Sequence, residues 1–174
     1  MALFFPTLYR RRVTDITVAD LHRLGVEGIL LDVDNTLTTH DAPDLTDEIK
    51  GWLVTMQEAG FRLLIVSNNT AQRVAPFAQS IGLPYYAKAK KPLPGGFWAA
   101  GKQLGLAPCR CAVVGDQLFT DMLGANLAGI PSVLLEPISL DGETSFIRFK
   151  RRVERLLLSR ARQRKKKETD YGEQ

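Results

Sequence analysis

A chain of 174 residues, 45% hydrophobic and 24% charged, has the size and composition of a globular domain that buries its own core without disulfide or metal staples. No run of eighteen uncharged apolar residues occurs, which excludes a membrane-spanning helix. The net charge of +4 is unevenly placed: residues 148–167 hold eleven Lys/Arg against one acid, Glu154, so the rest of the chain is acidic and the tail suits a lipid surface or nucleic acid.

At the N-terminus (MALFFPTLYRRR) the apolar residues precede the arginines and no small-residue cleavage site follows, the reverse of a secretory leader. Cys109 and Cys111 stand two apart and bridge poorly, which predicts reduced thiols and a cytoplasmic protein. With only His22 and His40 beside them, a zinc site lacks ligands.

Residues 28–33 (GILLDV) read as a buried strand, and 45–59 as a helix closed by Gly60. A second strand follows at 61–66 (FRLLIV), then a helix over 70–81 stopped by Gly82, a short strand at 83–86 and a helix over 95–104. Residues 111–115 (CAVVG) form a fourth strand, 119–128 a helix ended by Gly129, and 132–135 a fifth strand. Continuous apolar strands alternating with helices predict an α/β fold, a doubly wound parallel sheet covered on both faces. Beyond it, Phe146, Phe149, Val153, Leu156 and Leu157 recur at helical spacing, so 146–164 reads as a long basic amphipathic helix and 165–174 as a polar tail. The domain boundary is expected between 145 and 146.

In open parallel sheets ligands bind beyond the carboxyl ends of the strands. There the first strand delivers Asp32, Asp34, Asn35 and Thr36, the second Ser67, Asn68, Asn69 and Thr70, and the fourth Asp116, with Asp121 five residues on. Lys88, Lys90, Lys91 and Pro92 follow the third. Each has a plainer use alone: turn residues for Asp32 and Asp34, a helix cap for Ser67, a solvated charge run for the lysines, a first-turn acid for Asp121. Together, hard carboxylate oxygens suit Mg²⁺ and the remaining groups suit a phosphoryl centre.

These segments resemble a known family. DVDNTL is similar to motif I of phosphatases of the haloacid dehalogenase (HAD) superfamily, VSNN to motif II, the lysine before Pro92 to motif III and GDQLFTD to motif IV, in order over residues 28–135. The K-x-K-K-P loop and the basic ending IRFKRRVER extend the resemblance to the YqeG-like, subclass IIIA group, whose relatives include a phosphatidylglycerophosphate phosphatase. Residues 93–96 (LPGG) depart from many relatives, which bears on where the helix after the lysines begins. The resemblance implies a HAD-like Rossmannoid catalytic core over 1–145 and a Mg²⁺-dependent phosphatase. It implies Asp32 as the nucleophile that forms an aspartyl phosphate, Asp34 as general acid and then base, and Lys91 as the catalytic cation. Ser67 and the backbone N–H of Asn68 would bind phosphate; Asp116, Asp32 and the backbone carbonyl of Asp34 would hold the metal, with Asp121 supporting it or orienting Lys91.

Only residues 37–60 separate motif I from the next strand, and 69–91 hold a helix and a short strand, so no inserted cap domain fits. An open site suits a large or surface-displayed phosphate, or one closed by another subunit. The resemblance implies a phosphorylated lipid such as phosphatidylglycerophosphate as a candidate substrate, and the basic helix suggests peripheral contact with the anionic inner face of the membrane. A nucleic-acid-associated phosphatase is the alternative, weakened by the few aromatics among the basic residues of the tail. A non-enzymatic scaffold is a second alternative, and the intact acids count against it.

Overall fold

The computed structural model describes residues 3–39 and 44–139. Six strands, β1 (Leu8–Tyr9), β2 (Gly28–Leu31), β3 (Arg62–Val66), β4 (Tyr85–Tyr86), β5 (Cys111–Gly115) and β6 (Ser132–Leu134), pair in parallel in the order β1-β6-β5-β2-β3-β4. Leu30 of β2 stands opposite Leu64 on one side and Val113 on the other. Successive side chains of a strand point to opposite faces. Ile29, Leu31, Leu63, Ile65, Ala112 and Val114 accordingly join one core layer, and Leu30, Leu64, Val66, Cys111 and Val113 the other.

Helices α1 (Val18–Leu24), α2 (Asp47–Glu58) and α3 (Ala71–Ser80) cover the first layer, to which they give Leu21, Trp52, Met56 and Val74. Helices α4 (Pro94–Gln103) and α5 (Leu123–Ala128) cover the second with Phe97, Ala100 and Ala125. The sheet is thus doubly wound, as its alternating pattern predicts. Between β2 and β3 the described residues contain α2 alone, and between β3 and β4 only α3, so no cap domain interrupts the core.

Three details depart from expectation. A sixth strand, β1, and the helix α1 precede the first predicted strand. Thr17 starts that helix with a reciprocal cap: its Oγ accepts the Asp20 N–H at 3.1 Å, and the Asp20 carboxylate accepts the Thr17 N–H at 3.1 Å. The strand predicted at 83–86 shrinks to Tyr85–Tyr86, because the Leu83 N–H still donates to Ala78 O at the end of α3 and Pro84 has no N–H to pair. The helix predicted at 119–128 opens as one π-turn, Leu118–Met122, before α5 begins. The predicted helix over 146–164, the polar tail and the boundary at 145 lie outside the described residues. No helix among the described residues is long and apolar enough to cross a membrane.

Candidate active site

From β2 the chain proceeds to β3 on one side, while β5 pairs on the other. The carboxyl ends of β2 and β5 therefore flank the topological switch point, where open α/β sheets hold their ligands. Asp32 directly follows β2 and Asp116 directly follows β5. The Asp32 N–H donates to Val114 O at 2.9 Å, so the ladder between the two strands fixes the backbone from which the carboxylate projects.

Lys91 joins the acids. Its Nζ donates to Asp32 Oδ1 at 2.5 Å and to Asp121 Oδ1 at 2.7 Å, with all three side chains buried. Carboxylate oxygens of Asp32, Asp116 and Asp121 lie within 4.8 Å of one another. The π-turn brings Asp121 inward, and Asp121 Oδ2 accepts the Gln117 N–H at 3.2 Å. Glycine at 115 permits this approach: a β-carbon there would stand 2.5 Å from Asp121 Cγ.

Two loops present the lysine. The side chain of Asn68 brackets the Lys91 backbone, Oδ1 accepting its N–H at 2.6 Å and Nδ2 donating to its carbonyl at 3.1 Å. Lys88 N–H donates to Asn69 O and Ala89 N–H to Ser67 O, so the loop after β4 is laced to the loop after β3. Gly96 of α4 closes against the Ala89 backbone, where any β-carbon would collide. Of the three lysines the sequence offers, Lys91 alone turns inward; Lys88 and Lys90 are exposed.

The other expected residues line the adjacent loops. Ser67 is buried and its Oγ accepts the Asn69 N–H at 3.1 Å. Asp34 is half-buried, and its Oδ2 accepts from Asn69 Nδ2 at 3.0 Å. Its carboxylate stands outside the cluster of three. Asn69 therefore links the Asp34 loop to the Ser67 loop, a part that sequence reasoning did not assign although VSNN contains it. A cavity of about 410 Å³ opens beside the Asp34 loop, lined by residues 11–14 and 36–39; the Asp32, Asp116 and Asp121 carboxylates do not line it.

Burial pushes the Asp32 carboxyl up to about 8, opposed by Lys91 and reinforced by the charges of Asp121 and Asp116. Burial works against the Lys91 ammonium, but Asp121 and Asp32 outweigh it and hold the lysine above its usual value. Around the single Lys91 ammonium the acidic groups outnumber the cations. The donors are hard oxygens. Both properties fit a divalent cation of the Mg²⁺ kind.

A family model described as a haloacid dehalogenase-like hydrolase matches residues 39–129. The chain belongs to this family, and it is a phosphatase of it. Within the family it falls in the YqeG-like group: it is 40% identical over 157 residues to a probable phosphatase YqeG of Bacillus subtilis (strain 168), covering 90% of each chain. It is also 25% identical over 168 residues to a chloroplastic phosphatidylglycerophosphate phosphatase 1 of Chlamydomonas reinhardtii, covering 91% of this chain and 62% of that one. Among solved structures, an uncharacterized protein from Listeria monocytogenes serotype 4b superimposes with a TM-score of 0.55 at 21% identity, over 68% of this chain and 85% of the other. That likeness concerns the fold.

Proposed function

We propose that the chain hydrolyses a phosphate monoester through an aspartyl phosphate on Asp32. The observation that carries the reading is the buried contact of Lys91 Nζ with Asp32 and Asp121 at the switch point, with Asp116 beside them. An Asp32 oxygen attacks phosphorus, the ester P–O bond breaks, and the leaving oxygen takes the proton of the Asp34 carboxyl. Asp34 then accepts a proton from water as that water attacks the acyl phosphate, releasing inorganic phosphate and the Asp32 carboxylate. Ser67 and the Asn68 N–H receive the phosphoryl oxygens, and Lys91 neutralises their charge. Mg²⁺ held by Asp32, Asp116 and Asp121, with the Asp34 carbonyl, would supply the positive charge that keeps Asp32 ionised and stabilises the phosphoryl group.

The substrate class in this reading is a large or surface-displayed phosphate, with phosphatidylglycerophosphate as the candidate. The capless core supports it, as does the similarity to a relative named for that activity. The eleven basic residues within 148–167 support peripheral contact with an anionic membrane face. A phosphate-release screen with and without Mg²⁺, over phosphatidylglycerophosphate, phosphorylated oligonucleotides and sugar phosphates, tests both parts. The lipid should be hydrolysed fastest and only with the metal. Turnover of the oligonucleotides alone would transfer the site to nucleic acid, and full activity after exhaustive chelation would remove Mg²⁺ from the reading.

A further inference from the structure

Residues 88–91 alternate in exposure and in backbone conformation. Lys88 and Lys90 adopt the left-handed backbone conformation, φ 50° and 56°, and are exposed, while Ala89 between them is buried and Lys91 turns into the site. A β-carbon makes this conformation unfavourable; glycine adopts it freely and asparagine tolerates it. Here two lysines in three residues occupy it. Among the described residues neither ammonium has a carboxylate partner, whereas exposed Lys50 pairs with Asp47 at 3.5 Å. The backbone that carries them is not free to drift: Lys88 N–H is bonded to Asn69 O, and the Asn69 side chain reaches Asp34. Two unpaired cations thus stand on the loop that supplies Lys91, one loop away from the acid that meets the leaving group.

The geometry points to Lys88 and Lys90 as specificity residues that hold a second anionic group, a phosphodiester, on the leaving-group portion of the substrate. The assignment rests on the phosphatase reading above and deepens it. A monoester whose leaving group is uncharged gains nothing from the pair. One whose leaving alcohol also bears a phosphodiester is drawn in by two charges carried on a backbone that the fold fixes in the left-handed conformation.

The test compares kcat/KM for soluble dihexanoyl phosphatidylglycerophosphate, which carries the second anion without a membrane, with p-nitrophenyl phosphate, which lacks it. Lys88→Gly and Lys90→Gly, with Lys88→Asn and Lys90→Asn as variants that keep a side chain, should each lower the ratio of the two about tenfold. The loss should appear in KM and shrink as salt rises. Lys90→Arg should restore the ratio, and Lys102→Ala, remote at the end of α4, should leave it unchanged. Because glycine suits the backbone, Tm should hold or rise in the glycine variants.

An unchanged ratio with active protein overturns the inference while leaving the phosphatase reading intact. So does a fall in Tm with equal loss on both substrates, which would make the lysines structural. Faster, lysine-dependent hydrolysis of a 5′-phosphorylated dinucleotide overturns the lipid phosphodiester. No turnover of any of the three defeats the phosphatase reading and this inference with it.

Discussion

Asn68 grips Lys91 by the backbone and leaves its ammonium to the acids: both amide atoms of Asn68 bond the Lys91 main chain, at 2.6 and 3.1 Å, while Nζ meets Asp32 and Asp121. Asn68→Ala should therefore loosen the lysine without removing it. Losing two partly buried hydrogen bonds should cost about 1–2 kcal/mol of stability. The resulting misplacement of Nζ should lower kcat roughly tenfold or more with little change in KM. Wild-type kcat in a folded Asn68→Ala protein would show that the clamp has no part in positioning.

Asp32→Asn tests the nucleophile and the electrostatics together. Turnover should fall by about a thousandfold or more, as expected for loss of a covalent nucleophile. In chelator, the unfolded chain ionises Asp32 near 3.8 and the folded protein only near 8, so the unfolded chain releases its proton first. Asp32 therefore costs increasing stability as pH rises through that window, and the cost is complete above it. The Tm of Asp32→Asn relative to wild type should rise between pH 5 and 8 without metal, and added Mg²⁺ should stabilise wild type selectively. A flat difference across that range would contradict the buried, raised carboxyl.

Gly96→Ala should disturb the site from outside it. The added β-carbon meets Ala89 backbone atoms, which cannot rotate away as a side chain could. Helix α4 and the lysine loop must separate, at about 1–3 kcal/mol. Activity should fall together with Tm. Normal stability and turnover would mean that the loop yields freely, which its bonds to Ser67 and Asn69 argue against.

Asp20 is expected to matter for stability alone. Burial pushes its carboxyl up, but the Arg10 guanidinium and the Thr17 bonds prevail and hold it below the usual value. Its contribution is then present above the unfolded value of 3.8 and lost as pH falls through the lower folded value. Asp20→Ala should lower stability by about 1–3 kcal/mol at pH 7, with the gap to wild type closing in acid. A gap that persists unchanged well below pH 3.8 would assign the loss to packing.

The basic ending is tested by co-sedimentation with liposomes, comparing the intact chain with one ending at Arg148. Each Lys or Arg close to an anionic surface contributes about 1 kcal/mol, so four acting together suffice for reversible binding. The intact chain should pellet with anionic but not neutral lipid, less so at high salt; equal pelleting of both proteins would refute docking through the tail.

Legibility tracks how local the determinants are. The run CAVVG coincides with β5 because five buried residues in a row leave no amphipathic alternative, and Gly115 then faces Asp121. The acids at strand ends were legible because a parallel sheet sends its carboxyl ends to one edge. By residue type alone Lys88, Lys90 and Lys91 look alike; backbone conformations of the loop separate them. The amide clamp of Asn68 was hidden because its partner lies 23 residues away. β1 escaped notice because two residues carry no period, although T-V-A-D announced the helix after it through its cap.

The pairing of β1 with β6 sets an order of assembly. Leu8 lies opposite Val133, so β1 finds its partner only after β6 has left the ribosome. The inner ladders pair β2 with β3 and β5 and do not include β1. Loop-closure entropy rises only slowly with length, so the long wait adds little to the equilibrium cost. It falls instead on the kinetics: β1 waits for β6 while the strands between them in sequence can pair, and its docking completes that edge of the sheet.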